Sequence, residues 1–410
     1  MPKPKRRVYK SLFYSFWDGF FAVIQFGVVD QFATPLALFL GANNFAIGFL
    51  GFVRNAMVSI VQVVSADLTL WIKSRKKLIT ACVFLTATLW LPSYFIPYFM
   101  PYHRVLTFII LFSLASSFNT LANPAWGSLM TEYIPYSKRG KYFGWRGAVL
   151  GWVYTASVVA AGVILYYFRP ISLFWGFAIL MLIATVSRYL SWFFLTLMHE
   201  PRWQAKEAAY FSLWDFIRHF RRSNFARFAL FSACYILGVS LVSPFFAVYI
   251  LKELHLNYFD YTLLMGATAF TMFVPQRFWG GQADRYGNMK IIRITLAITS
   301  LVPLLWMFSQ DLIYLFIIQL LAGFGWAGLN LASTNFIYDV SAPSKRERCL
   351  SYFNFLIGIG VGLGAFLGGV LYDRMPPLFG TTFFSLIILS CGVRLVFAAL
   401  IRYFTKEVRV

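Results

Sequence analysis

The residues of this chain most able to do chemistry are a few polar side chains set inside long apolar runs. The first run carries Asp18, Gln25, Asp30 and Gln31. Asp18 and Gln25 stand seven positions apart, which brings a helix back to within about 20° of the same face. A carboxylic acid in a low-dielectric setting can exchange a proton near neutral pH. Asn119, Asn123 and Trp126 recur at i, i+4 and i+7, and Trp326, Asn330 and Thr334 repeat nearly that spacing. Asparagine supplies donors and acceptors, and tryptophan supplies a flat apolar wall. Arg54 sits deepest of the arginines and most needs a partner, either an acid of the first run or an anionic solute. Arg146, Arg188, Arg277 and Arg394 also lie within or at the ends of apolar runs. Arg146 is close enough to one end to extend to the membrane surface. Each position has a plainer use. Asp18 could be hydrated near an interface, Asp30 could pair with a neighbouring helix, and the asparagines could be packing contacts between helices. No set of residues suggests catalysis, a metal or a cofactor. His103, His199, His219 and His255 fall outside the apolar runs, and no G-x-S-x-G elbow, P-loop or metal-spaced cluster is present.

The elements that must position these residues are membrane helices. Of 410 residues, 60% are hydrophobic and 12% charged, and the mean hydropathy is +0.68. A soluble domain is about half apolar and a quarter charged, so lipid is the solvent here. The net charge of +21 would suggest nucleic acid in a soluble protein. In this chain the basic residues fall in short clusters between apolar runs, which is the pattern of membrane topology; no nucleic-acid partner is expected. Runs of roughly 20 residues or more predict twelve transmembrane helices over 11–40, 45–71, 78–98, 105–130, 142–168, 173–197, 225–251, 259–281, 291–308, 312–338, 350–372 and 381–404. Clusters such as Arg75, Lys76 and Lys77, or Lys138, Arg139 and Lys141, alternate with segments carrying only Arg104, Arg169, Lys252 or Arg374. The positive-inside rule then places both termini in the cytoplasm. The basic N-terminus resembles the start of a signal peptide. The run after it is long, contains Asp18 and Asp30 and lacks a small-residue cleavage site, so it is expected to stay as the first helix. Cys82, Cys234, Cys349 and Cys391 fall in no external loop, and no disulfide is expected.

The longest inner connection divides the chain into a six-helix bundle over 1–198, a linker over 199–224 and a second bundle over 225–410. Within the linker, Leu213, Phe216, Ile217 and Phe220 share one helical face, with Arg218, Arg221 and Arg222 elsewhere. That pattern predicts a short amphipathic helix on the inner membrane surface. An internal repeat supports the division. Aligning Ser137-Lys138-Arg139 with Ser344-Lys345-Arg346 also pairs Asn123 with Asn330, Glu132 with Asp339, and Gly162-Val163 with Gly369-Val370. Pro35 and Pro244 occupy similar places in helices 1 and 7. The fold expected is an all-α polytopic membrane protein, twelve transmembrane helices in two six-helix pseudo-symmetric bundles.

One loop is distinctive. Between the eighth and ninth apolar runs the chain reads Gly280-Gly281-Gln282-Ala283-Asp284-Arg285-Tyr286-Gly287-Asn288-Met289-Lys290. Gly287 permits the positive φ of a tight turn, and Gly280 permits close approach of a neighbouring helix. The positions Gly280, Asp284, Arg285, Gly287 and Lys290 match the loop motif G-x-x-x-D-R-x-G-x-x-K, and the chain resembles the major facilitator superfamily of transporters. In that family the motif lies on the cytoplasmic side, after helix 2 and again after helix 8. The first-half counterpart here, Ser65 to Lys77, keeps the acid Asp67 and a basic tail but lacks the turn glycine and the Asp-Arg pair.

The resemblance implies a fold of two parallel repeats around a central cavity lined by helices 1, 4, 7 and 10. By that analogy Asp18, Gln25, Asp30, Arg54, Asn119, Asn123, Trp126, Trp326, Asn330 and Thr334 are candidates to bind substrate or carry a proton. Asp67, Glu132, Arg139, Gly280, Asp284, Arg285, Gly287, Lys290, Asp339 and Arg346 are candidates for a cytoplasmic gate. The function implied is secondary active transport of a small solute by alternating access, with proton coupling open. Drug or metabolite export, solute uptake, and lipid or siderophore movement all stay open. A polytopic membrane enzyme is the alternative from another class. Partners expected are a small-molecule substrate, protons if coupled, and the lipid bilayer, with the chain a monomer in a cell inner membrane.

Overall fold

The computed structural model describes residues 3–134, 136–201, 223–341 and 346–407; within the helices, the side chains of 3–6, Val63, Ala66, 136–141 and 346–348 lie outside the description. The expected amphipathic linker helix also lies outside the described residues. Among these residues there is no strand, and eleven helical stretches are long and apolar enough to cross a membrane. The helices in chain order are α1 (Lys3–Val29), α2 (Ala33–Phe39), α3 (Asn44–Ile72), α4 (Arg75–Phe99), α5 (Arg104–Tyr133), α6 (Tyr136–Phe168) and α7 (Leu173–Leu197). Then come α8 (Asn224–Ser240), α9 (Phe245–Val248), α10 (Tyr258–Phe273), α11 (Gln276–Tyr286), α12 (Asn288–Leu301), α13 (Leu312–Val340), α14 (Arg346–Tyr372) and α15 (Thr382–Phe404).

Proline explains where the expected helices divide. Pro35, Pro244 and Pro275 lack an amide hydrogen and crowd the carbonyl four residues earlier, so each releases one turn of the backbone ladder. The first run accordingly becomes α1 and α2 around a turn at Asp30, Gln31 and Phe32. The seventh becomes α8 and α9, followed by a π-helical turn over Tyr249–Glu253. The eighth becomes α10 and α11, separated by Val274 and Pro275. That pair stands for the twelfth expected span, because neither half alone is long enough to be counted among the eleven.

By contacts the chain divides into two compact units, Met1–Gly41 with Ile60–Lys206, and Ala42–Ser59 with Glu207–Val410. In the first unit α4 packs along α5 and α7, and α1 packs along α7 and α6. Its core includes Leu78, Val83, Ala122, Leu129 and Met130. In the second unit α8 packs along α14 and α15, and α13 packs along α10 and α12. Its core includes Phe228, Trp279, Ile292, Ala332 and Phe336. The pairing of α1 with α6 and α7 therefore recurs as α8 with α14 and α15, as a parallel repeat requires.

Glycine sets the spacing on α14. A Cβ at Gly364 would lie 2.3 Å from the Leu237 carbonyl oxygen, and one at Gly368 would lie 2.1 Å from that of Leu241. The two backbones touch, as bare helix faces allow in lipid. A second bare stretch of α14 receives the start of α3, where a Cβ at Gly48 would lie 2.5 Å from the Ala365 carbonyl oxygen. This close packing puts Ala42–Ser59 in the second unit, whereas the six-plus-six division of the sequence puts it in the first.

Candidate functional site

The first unit holds a half-open cavity of about 160 Å³. Its polar lining is Asp18 from α1, Asn119, Asn123 and Trp126 from α5, Arg146 from α6 and Arg188 from α7. Helical spacing brings these residues together. The i, i+4, i+7 stripe of α5 faces the cavity, and Asp18 meets it from the face of α1 that packs against α7 and α6.

Asp18 and Arg188 are each 5% exposed. The carboxylate of Asp18 accepts from the Ser191 hydroxyl at 2.7 Å and from the Trp126 indole at 3.2 Å. Arg188 donates to the Asn119 side-chain oxygen and, at 3.2 Å, to the Ser191 hydroxyl. Arg146 donates to the Ser15 carbonyl at 3.1 Å, and its guanidinium lies 4.7 Å from the centre of the Trp126 ring. Both arginines act on Asp18 through space, yet neither is in ion-pair contact with it. Neutral groups bridge the three charges, and the Nε–H of each arginine has no hydrogen-bond partner among the described residues. Arg146 is half-buried and lines the cavity. A Cβ at Gly19 would lie 2.1 Å from its Nη2, so the bare backbone of α1 gives the guanidinium room to turn inward.

The other candidates fall elsewhere. Gln25 is fully buried, its amide has no hydrogen-bond partner among the described residues, and it does not line the cavity. Asp30 lies in the turn after α1, half-buried, and the neighbouring Gln31 donates to the Tyr154 hydroxyl at 3.1 Å. Arg54 is half-buried within Ala42–Ser59, the stretch grouped with the second unit. Trp326 packs against the second core, while Asn330 and Thr334 are exposed and Thr334 donates to the Asn330 carbonyl at 2.9 Å.

At the end of each unit where α4 or α12 begins, a second constellation appears. Arg75, 1% exposed, holds both carboxylate oxygens of Glu132 at 2.8 Å. Glu200 accepts from the backbone amides of Arg75 at 2.8 Å and Lys76 at 3.2 Å, and from the Ser74 hydroxyl at 2.6 Å. A carboxylate thus caps the positive end of α4. The second unit repeats the device. Asp339 accepts from the Asn288 side chain at 2.7 Å, and Glu407 accepts from the Met289 amide at 2.8 Å. Gly287 precedes that helix with φ 91° and ψ 151°. A Cβ there would lie 2.7 Å from a Glu407 carboxylate oxygen.

Within the loop motif, Arg285 and Lys290 lie over the Tyr286 ring at 5.1 and 4.3 Å. Asp284 and Asp67 are exposed and form no hydrogen bond or ion pair among the described residues. Gly280 enforces no close approach, since a Cβ there would meet only Leu331 at 3.8 Å. The side chains of Arg139 and Arg346 lie outside the described residues. Sequence reasoning missed Arg188 and Arg146 as partners of Asp18, and missed Glu200 and Glu407 altogether. The last two carried a signal: they stand 207 positions apart, the same offset that separates Ser137 from Ser344.

Helical spans throughout the chain, with no strand among the described residues, define an integral, multi-pass membrane protein. The profile of the Major Facilitator Superfamily matches residues 16–236 and 228–409, and the chain belongs to that family. Quinolone resistance protein NorA of Staphylococcus aureus (strain MRSA252) is 30% identical over 146 residues, 35% of this chain and 37% of that protein. Multidrug resistance protein 2 of Bacillus subtilis (strain 168) is 28% identical over 149 residues, with the same coverage. The match thus spans little more than a third of the length of these curated relatives. The crystal structure of the nucleoside transporter NupG superposes with a TM-score of 0.71 at 14% identity, covering 97% of this chain and 98% of that one.

Proposed function

We propose that this chain is a secondary active transporter that moves a small solute across a membrane by alternating access, with Asp18 as its titrating group. The observation that carries the reading is a buried carboxylate between two arginines, beside a cavity, with only neutral groups in contact with it. A comparison within the chain supports a functional rather than a structural acid. Arg394 lies on the last helix of the second unit, 3% exposed, as Arg188 lies on the last helix of the first. It donates to the carbonyls of Thr299 at 3.0 Å and Val239 at 3.3 Å, with no carboxylate partner among the described residues. Arg394 thus sits at this depth on backbone carbonyls with no acid beside it, although its Nε–H has no hydrogen-bond partner among the described residues, and by the same measure Asp18 is available for exchange of a proton or a ligand. We further propose two functional halves over 1–198 and 225–410, joined by 199–224, with both termini cytoplasmic, in a cell inner membrane, and a monomeric transporter rather than an enzyme.

The test is flux in proteoliposomes, with and without an imposed proton gradient, for one organic cation, one organic anion and one neutral solute. The gradient should drive accumulation of at least one of them. Asp18→Asn should abolish gradient-driven accumulation while sparing exchange of solute across the membrane. Absence of protein-dependent movement for all three would overturn the transport reading, and normal accumulation by Asp18→Asn would remove Asp18 from the coupling.

A further inference from the structure

Resting on the transport reading, we infer that the cavity of the first unit is a receptor for an organic monoanion, its acidic head held between Arg146 and Arg188. The charges motivate this. Among the residues lining the cavity there are two guanidiniums and one carboxylate. Asp18 can neutralise only one of the two arginines, so the residues lining the cavity carry one positive charge in excess. A bound monoanion brings the cluster to neutrality. A cationic ligand would raise the excess.

The hydrogen bonds agree with the charges. Both oxygens of Asp18 are already engaged, by Ser191 and Trp126. Arg188 spends its terminal nitrogens on Ser191 and Asn119, and Arg146 spends one on the Ser15 carbonyl. The Nε–H of each has no hydrogen-bond partner among the described residues, as is also true of that of Arg394 away from the cavity. A guanidinium presents its donors as a planar fork matched to carboxylate oxygens, and Arg146, with one hydrogen bond among the described residues, keeps most of its fork open beside the cavity. The bare backbone of α1 at Gly19 leaves room for the Arg146 guanidinium at this place.

The walls describe the rest of the ligand. Ala22, Val23, Phe26, Ile79 and Val83 are apolar, and the Trp126 ring is flat. The volume of about 160 Å³ suits a body of about one ring, since a cavity of roughly 150 Å³ holds benzene. Asp18 then has a second use. Its charge opposes the anion, which weakens binding enough for release and disfavours a dianion.

The experiment measures binding of 1-naphthoate, 1-naphthamide and 1-naphthylmethylammonium to the purified full chain, by calorimetry and by the shift in thermal midpoint. Benzoate serves as a smaller acid. At least one acid should bind and raise the midpoint, and the amide and the ammonium should do neither. Arg146→Gln should weaken the acid about tenfold or more. Asp18→Asn should tighten it several-fold, an effect that general loss of structure would not produce. Arg146 is only half-buried, and a monodisperse elution profile will show that its variants fold. Arg146→Lys, which keeps the charge without the fork, should fall between wild type and Arg146→Gln. The inference is overturned if neither acid binds, if the amide or the ammonium binds as well as the acid, or if Arg146→Gln leaves the acid unaffected. Movement of a cation or neutral solute with no acid binding would sink this inference and leave the transport reading. Acid binding with no solute movement would do the reverse.

Discussion

At the scale of single residues, two glycines of one loop motif behave differently. Gly287 has a backbone conformation that is essentially reserved for glycine and costs other residues of order 1–3 kcal/mol. Its missing Cβ also makes way for the Glu407 carboxylate. Gly280 is inside α11 with ordinary space around it. There alanine removes an unfavourable helix residue, worth up to about 1 kcal/mol. We expect Gly287→Ala to lower the thermal midpoint of the purified protein by several degrees, and Gly280→Ala to leave it unchanged or raise it slightly. Equal shifts would mean that the turn geometry is not what constrains the motif. Asp284, exposed and without a bond among the described residues, should tolerate Asp284→Asn with no change in the same assay.

At the scale of elements, the two acid caps are the shared feature of the repeat. Glu200 and Glu407 arrive from the segments after α7 and α15 and satisfy amides at the starts of α4 and α12. A carboxylate there gains from the helix dipole, by roughly 0.3–1 kcal/mol when exposed and about 2 when partly buried. Glu200→Gln, at a partly buried acid, should therefore destabilise by about 1–2 kcal/mol, and Glu407→Gln, at an exposed one, by roughly 0.3–1 kcal/mol. Each acid caps a different helix, so the double variant should lose about the sum. Denaturation midpoints of the four proteins check this. A double variant no worse than either single one would mean the caps share a partner. Removing Glu200 also takes away one carboxylate near Arg75, which keeps its bidentate bond to Glu132.

At the scale of the whole molecule, the basic clusters make a topological claim that labelling can test. With Cys82, Cys234, Cys349 and Cys391 replaced, Asn44→Cys, His103→Cys and Lys252→Cys should react with an impermeant thiol reagent added outside intact cells. Ser74→Cys, Ser137→Cys and Ser344→Cys should react only after permeabilisation. The imbalance of lysine and arginine between successive connections motivates the expectation. Reversed labelling at several of these sites would invert the proposed orientation.

Much of the fold was legible in the sequence, because lipid imposes a rule that can be read locally. Every backbone polar group must be paired within its own segment, so each apolar run of sufficient length becomes a helix. Prolines at 35, 244 and 275 then mark the interruptions. The repeat was legible for a similar reason, since Ser137-Lys138-Arg139 and Ser344-Lys345-Arg346 keep their types and spacing. The candidate site was legible only in part. Asp18, Asn119, Asn123 and Trp126 stand out as polar groups at helical spacing, and all four line the cavity. Nothing along the chain says that Arg146 and Arg188, 128 and 170 positions from Asp18, line the same cavity, or that Gln25, near the same face of the helix as Asp18, does not. Spacing along one helix determines which residues share a face. Which helices present their faces to one another depends on packing, here on bare backbone at Gly19 and along α14, and only the tertiary structure decides it.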